Sequence, residues 1–440
     1  MRTKHWLRLV GLTLALALVV AACGGDDATD DTEAGDTTTT EAAEETTTTE
    51  AAEETTTTEA PEATGSLLIW ADANQAPVFE AVGADFTEAT GVEVEVQVVD
   101  RGDIREQVQV AGPAGEGPDI FVGAFDWTGE LAANGVIAPV DLGANADDFF
   151  QVAVDGFSFG GELYGVPVST EAIAMIVNND LVPVEDTPTA IEDLAGVCEG
   201  IEGLETCLAV QGGGDAGDLY HMIWFLTAPG GYIFGFDEEA GYDTTDVGLD
   251  SPGAIEGAEV IDQLTRDGVM ASINGDTAQN LFLEGQAPFW VTGPWNVSTL
   301  NDSGINYSVV KLPTIGGETP APFVGSNGVF LSAFSENAVI AQTFLSDYIA
   351  TTEVQRAIYD ADPRNPATQS VLDQLADDPV VAAFTLSGAD GIPMPNIPEM
   401  NSVWAAGGDN ILALRNGQID PELAMTSAAD TVRTLLAEAG

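Results

Sequence analysis

Basic residues are what this chain most lacks. It carries 11 Lys plus Arg against 72 Asp plus Glu, for a formal net charge of -61 over 440 residues. Beyond the first 22 residues the cations stand singly, from Arg101 to Arg433. A phosphate backbone needs clustered Lys and Arg, so nucleic acid is excluded as a partner, and an anionic membrane surface would repel the folded part. Histidine is almost as scarce: there are two, and only His221 lies outside the leader. Ser–His or Cys–His catalysis would have to use it, and spacing supplies no partner for it. The patterns G-x-S-x-G, H-E-x-x-H and G-x-x-x-x-G-K-[ST] are all missing. With one such histidine and three cysteines, no metal site is expected, and no cofactor. Paired carboxylates for glycoside cleavage cannot be dismissed by counting among so many acids. Hydrophobic residues make up 45% of the chain, with 18 Phe and 7 Trp, so a large core can form in two domains or one large one. So lopsided a charge points to a salty habitat, where screening weakens self-repulsion.

The amino terminus gives an address. Arg2, Lys4 and Arg8 precede an apolar run from Leu9 to Ala22, too short for a comfortable membrane span, which reads as a secretory signal peptide over residues 1–22. The run ends in Val20-Ala21-Ala22-Cys23, which resembles the bacterial lipobox. That resemblance implies cleavage before Cys23, a diacylglycerol on its sulfur, and lipid anchoring on the extracytoplasmic face of the cell membrane. An ordinary signal with an incidental cysteine is the alternative. Residues 23–65 then form an acidic linker. TTTTEAAEE occurs at Thr37 and Thr46, and 14 acids with no base push the stretch from Asp26 to Glu62 into an extended tether. The other cysteines, Cys198 and Cys207, are nine apart. Outside the cell such a pair is most often a disulfide, with two free buried thiols as the alternative.

From Ser66 onward short apolar strands alternate with amphipathic helices, which argues for an α/β fold with parallel sheets flanked by helices. Leu67–Trp70 reads as a buried strand. Phe79, Val82 and Phe86 share a helix face that stops at Gly91, and Val92, Val94, Val96 and Val98 alternate along the next strand. A short helix over Ile104–Ala111 and a strand over Asp119–Val122 follow. Ligands in such folds sit where loops leave the carboxyl ends of strands, which singles out Asp72–Gln75 and Gly123–Trp127. The glycines from Gly212 to Gly214 read as a loop, with no lysine to hold a phosphate.

In order along the chain run LLIWADAN, FTEATGVEVEV, GEGPDIFVGAFD, ELYGVPVSTEAIAMIVNNDLV, TAPGGYIF, NLFLEGQAPFWVTGPWNV, NYSVVKLPTIGG, PFVGSNGVFLS and MPNIPEMNSVW. This series resembles the extracellular solute-binding proteins of ABC sugar importers, with the maltose/maltodextrin-binding family nearest. The resemblance implies a two-lobed periplasmic-binding-protein fold with discontinuous lobes joined by hinge strands. Lobe one would take 66–170 plus 328–373, and lobe two 173–322 plus 380–440. It also implies a monomer that binds an oligosaccharide and hands it to ABC permease subunits without catalysis. Carried over by position, the stacking aromatics fall on Tyr220, Trp295 and Trp404, the carboxylates on Asp126 and Glu171, and polar positions on Asn74 and Gln75. Asp218 and His221 are weaker candidates beyond a variable loop. Gln75, Gly123, Ala405 and Gly408 replace a Lys, a Trp, a Tyr and an Arg of the maltose binders, and Trp127 stands where they carry an Arg. Trp127 would offer a displaced stacking surface. An α-glucoside or maltodextrin is the first expectation and another oligosaccharide the second. A surface glycoside-acting enzyme or a sugar receptor without transport are the readings from other classes.

Overall fold

A computed structural model describes residues 65–213, 217–237 and 241–439. The signal peptide, Cys23 and the tether to Thr64 lie outside the described residues, as does part of the loop beyond Gly213.

The first unit follows from its periodicity. Strand β1 (Ser66–Ala71) leads to helix α1 (Ala76–Thr90), which buries Phe79, Val82 and Phe86 and ends at Gly91, at φ 78°. Strand β2 (Glu93–Val98) lies parallel to β1, with Leu67 opposite Val94 and Ile69 opposite Val96. The valine alternation fails at its end. Val98 closes the edge strand at 58% exposure, while Val99, whose N–H bonds Ala71 O at 2.9 Å, turns inward. Helix α2 runs over Arg101–Ala114, longer than the apolar spacing alone indicates, because Asp100 caps it by accepting from Gly102 N. Strand β3 (Ile120–Ala124) is wholly apolar and pairs with the other flank of β1.

Two sheets organise the rest. Strand β4 (Gly165–Glu171) belongs to the first sheet, and only two residues later β5 (Ala174–Asn178) belongs to the second. The second sheet continues with β6 (Leu208–Val210), β7 (Phe289–Thr292) and β8 (Tyr307–Val310), in the order β8-β5-β7-β6. Helix α3 (Pro252–Arg266) is capped by Ser251. After β8 the chain returns to the first sheet as β9 (Phe323–Ser332), followed by α4 (Thr352–Ala361) and the short β10 (Asn365–Pro366). The first sheet is thus ordered β10-β4-β9-β3-β1-β2. Helices α5 (Asn401–Arg415) and α6 (Pro421–Ala439) pack on each other and on α3.

Neither sheet is purely parallel. Strand β9 runs antiparallel to both β3 and β4, and β5 runs antiparallel to β7 and β8. The returning strand enters from the opposite end, which a βα alternation read along the chain does not convey. Cys198 and Cys207 are joined by a disulfide. Among the described residues no helix is long and apolar enough to cross a membrane.

Candidate functional site

The candidate residues sit where the strands end. Asp126 lies in a 3-10 turn directly after β3, Glu171 is the last residue of β4, Trp295 lies in a turn just after β7, and Tyr220 follows β6. Pro294 opens the Trp295 turn, and Asn296 Nδ2 donates to Thr292 Oγ1 at 2.7 Å. Gly293 is needed there, because the Trp295 indole folds back over it and a Cβ would run into the ring.

Three aromatic side chains gather round Tyr220, and a fourth joins through one of them. The Tyr220 ring lies 5.3 Å from His221, 6.0 Å from Trp295 and 6.0 Å from Phe323, and Phe323 lies 6.0 Å from Trp404 on α5. Successive residues of a strand face opposite ways, so Phe323 meets these rings while Val324 lines a separate cavity of about 340 Å³ with Phe125, Phe236 and Tyr242. None of Tyr220, Trp295 and Trp404 lines that cavity, so the site is argued from the aromatic cluster.

Charge surrounds the same cluster. Burial raises the Tyr220 hydroxyl well above its ordinary range, and Glu171, Asp218 and Asp126 raise it further against the opposing pull of Arg364. The charges of all four groups thus act on the Tyr220 hydroxyl. Burial pushes the Asp126 carboxyl up to about 6, against the downward pull of Arg105 and Arg101. For Asp218 burial also acts upward, but His221 and Gln211 overcome it and hold the carboxyl well below the usual range. His221 Nδ1 donates to Asp218 Oδ2 at 2.9 Å, and Gln211 Nε2 bonds the same oxygen.

Several polar atoms here are left unmet. Tyr220 Oη, His221 Nε2, Gln75 Oε1 and Arg101 Nη2 are buried without a hydrogen-bond partner among the described residues. Such atoms are rare in folded proteins and costly, so the two that belong to the aromatic cluster, Tyr220 Oη and His221 Nε2, suit a polar ligand that supplies hydrogen-bond partners.

The expected residues are not all placed alike. Tyr220, Trp295, His221 and, through Phe323, Trp404 come together, with Asp218 bonded to His221 and the charges of Glu171 and Asp126 acting on Tyr220. Gln75 is not an open polar position. It is 1% exposed, stands at the N-cap position of α1 with its backbone N–H on Asp72 Oδ1, and its Nε2 donates to Asp362 Oδ2 at 3.4 Å. Asn74 is exposed, and its backbone N–H bonds Asp72 Oδ1 at 2.9 Å. Trp127 is a buried ring lying over Gly123, where a Cβ would come within 2.7 Å of it. The indole thus fills the space that a side chain at 123 would take. Gly408 has a steric reason, since its backbone touches that of Gly217.

Phe323, Arg101, Asp362 and Arg364 went unremarked as site residues in the sequence. Phe323 opens the apolar stretch PFVG, a signal that could have flagged it; the charged residues carry no motif.

Comparison with known proteins agrees with this architecture. The family model described as bacterial extracellular solute-binding protein matches residues 81–383. The chain is 28% identical over 386 residues to the galactooligosaccharide-binding protein of Bacillus subtilis (strain 168), covering 83% of this chain and 88% of that protein. It is 29% identical over 352 residues to the maltotriose-binding protein of Pyrococcus abyssi, covering 78% and 75%. It is 26% identical over 383 residues to a maltooligosaccharide ABC transporter solute-binding lipoprotein of Streptococcus pneumoniae (strain ATCC BAA-255 / R6), covering 83% and 88%. With two sheets joined by short crossings and a family match over more than half its length, this chain belongs to the bacterial extracellular solute-binding proteins, with their two-lobed periplasmic-binding fold.

Proposed function

We propose that this protein captures a neutral oligosaccharide outside the membrane and delivers it to the permease of an ABC importer, acting by binding and not by catalysis. The observation that carries the reading is the aromatic group of Tyr220, Trp295 and Trp404 set among Glu171, Asp126 and Asp218, around an unpartnered Tyr220 hydroxyl. A pyranose has a C–H face that stacks on flat rings and a rim of hydroxyls that pair with carboxylates. Glu171, Asp126 and Asp218 act on that ring against Arg364, while Arg101 and Arg105 are paired with Asp72 and Glu130, a balance that favours a hydroxyl-rich neutral solute over an anionic one. The names of the relatives divide between maltooligosaccharides and galactooligosaccharides. A maltodextrin or related α-glucoside is the first substrate class and a galactooligosaccharide the second.

In this reading the lobes are 66–170 with 328–373, and 173–322 with 380–440. Ligand bridges them in the closed form, and Ser169–Ala172 and Phe323–Val329 absorb the rotation. The lipid on Cys23 and the acidic linker hold the monomer near its permease at high effective concentration.

A thermal-shift screen of the chain in high salt tests the proposal, with maltose, maltotriose, galactotriose, sucrose, trehalose, amino acids and short peptides. A ligand that binds only the folded state raises the melting temperature. The expected result is a rise with one oligosaccharide series. A rise only with amino acids or peptides overturns the sugar assignment.

A further inference from the structure

Glu171 lies between two neighbours fixed by strand register. Across β9 it faces Gly325, and on its other side β10 pairs Asn365 with Thr170 and Pro366 with Ser169. Continuing that antiparallel register by one step brings Arg364 opposite Glu171, and cross-strand neighbours project on the same face. The contacts agree: Arg364 Nη1 donates to Glu171 Oε2 at 2.7 Å and Arg364 Nε to Asp362 Oδ2 at 2.8 Å. Asp362 Oδ2 also accepts from Gln75 Nε2. Arg364 is 8% exposed; although burial alone acts to lower the pKa of its guanidinium, Glu171 and Asp362 overcome this and hold it firmly positive. Among the described residues, Glu171 Oε1 accepts no hydrogen bond.

We infer that Arg364 is a positioning residue for ligand recognition: its two-carboxylate clamp fixes the Glu171 side chain with Oε2 occupied and Oε1 left as the acceptor for a ligand hydroxyl. The inference deepens the sugar-binding reading and rests on it. A guanidinium suits this task because its planar fork meets two carboxylates at once and cannot lose its charge. The clamp also ties a hinge strand of the first sheet to the segment that follows α4, so the acceptor keeps its place when the lobes move.

A double-mutant cycle on ligand affinity tests it, using calorimetry with maltotriose and with galactotriose on wild type, Glu171→Gln, Arg364→Gln and the double variant. A residue acting through Glu171 has no effect once Glu171 is lost. The expected result is a loss of roughly tenfold or more for either single change, with the double variant within about twofold of Glu171→Gln. Losses that multiply, in a wild type that binds normally, overturn the inference alone. A wild type that binds neither sugar overturns it together with the sugar reading. Since Arg364 is buried, Arg364→Lys provides the second arm. It keeps the charge without the fork, so it should fold and yet still lose affinity in a Glu171-dependent way; wild-type affinity in Arg364→Lys refutes the positioning role.

Discussion

Asp126 makes the site sensitive to pH in a direction that can be worked out. Its folded pKa of about 6 exceeds the ordinary 3.8, because burial disfavours the carboxylate. Below about pH 4 both folded and unfolded chains hold the proton, and nothing is lost. Between about 4 and 6 only the folded chain holds it, so stability falls as pH rises; above 6 the full cost remains, roughly 2–3 kcal/mol. Asp126→Asn removes that titration. The variant should therefore gain stability relative to wild type between pH 4 and pH 7.5, measured by urea unfolding of both proteins across the range; parallel curves would refute the raised value. The residues also differ in how visible they are from sequence. Trp295 and Trp404 stand out because a large aromatic beside a turn or helix start is conspicuous in GPW and NSVW. Arg364 in DPRNP is invisible, since its partner Glu171 lies 193 residues away and only strand register brings the two together.

At the scale of elements, local periodicity marks what is local. Helix α1 and strands β1 and β2 are legible because Phe79, Val82 and Phe86 repeat at helical spacing and the valines at strand spacing. The direction of β9 is not legible, because it depends on which end of the sheet the chain reaches after more than a hundred residues spent on the second sheet and its helices. The placing of Tyr220, Asp218 and His221 depends on another non-local contact: the backbone of Gly217 against that of Gly408 in α5. A Cβ on Gly217 would run into the Gly408 carbonyl, and neither backbone can swing aside as a flexible side chain could. Gly217→Ala is expected to cost about 1–3 kcal/mol by overpacking, and to weaken ligand binding because it displaces the Asp218–His221 pair. Thermal melting and calorimetry check the two parts. An unaltered melting temperature would mean that the loop and α5 are not in register as described.

At the scale of the whole molecule, the scarce cations among the described residues are already taken. Arg101, Arg105, Arg266, Lys311, Arg356, Arg364 and Arg433 each pair with a carboxylate, and Arg415 bonds the carbonyls of Val210 and Ala271. Most of the 72 acids are left to repel one another. The screening length falls from about 10 Å at 0.1 M to about 3 Å at 1 M salt, so the melting temperature should climb with sodium chloride across that range. A flat or falling curve would mean that the carboxylates do not limit stability.

The place of β9 also sets an order of events for a chain that has only begun to fold. This strand lies between β3 and β4, both of which precede it in sequence by more than 150 residues. Until Phe323–Ser332 arrives, the flank of β3 away from β1 and a flank of β4 are bare edges, open to pairing with any extended chain nearby. The second sheet, β5 to β8, lies wholly in the intervening stretch and can assemble first. Completion of the first sheet is then non-local and slow, and the interval before β9 inserts is when the polypeptide is most exposed to aggregation.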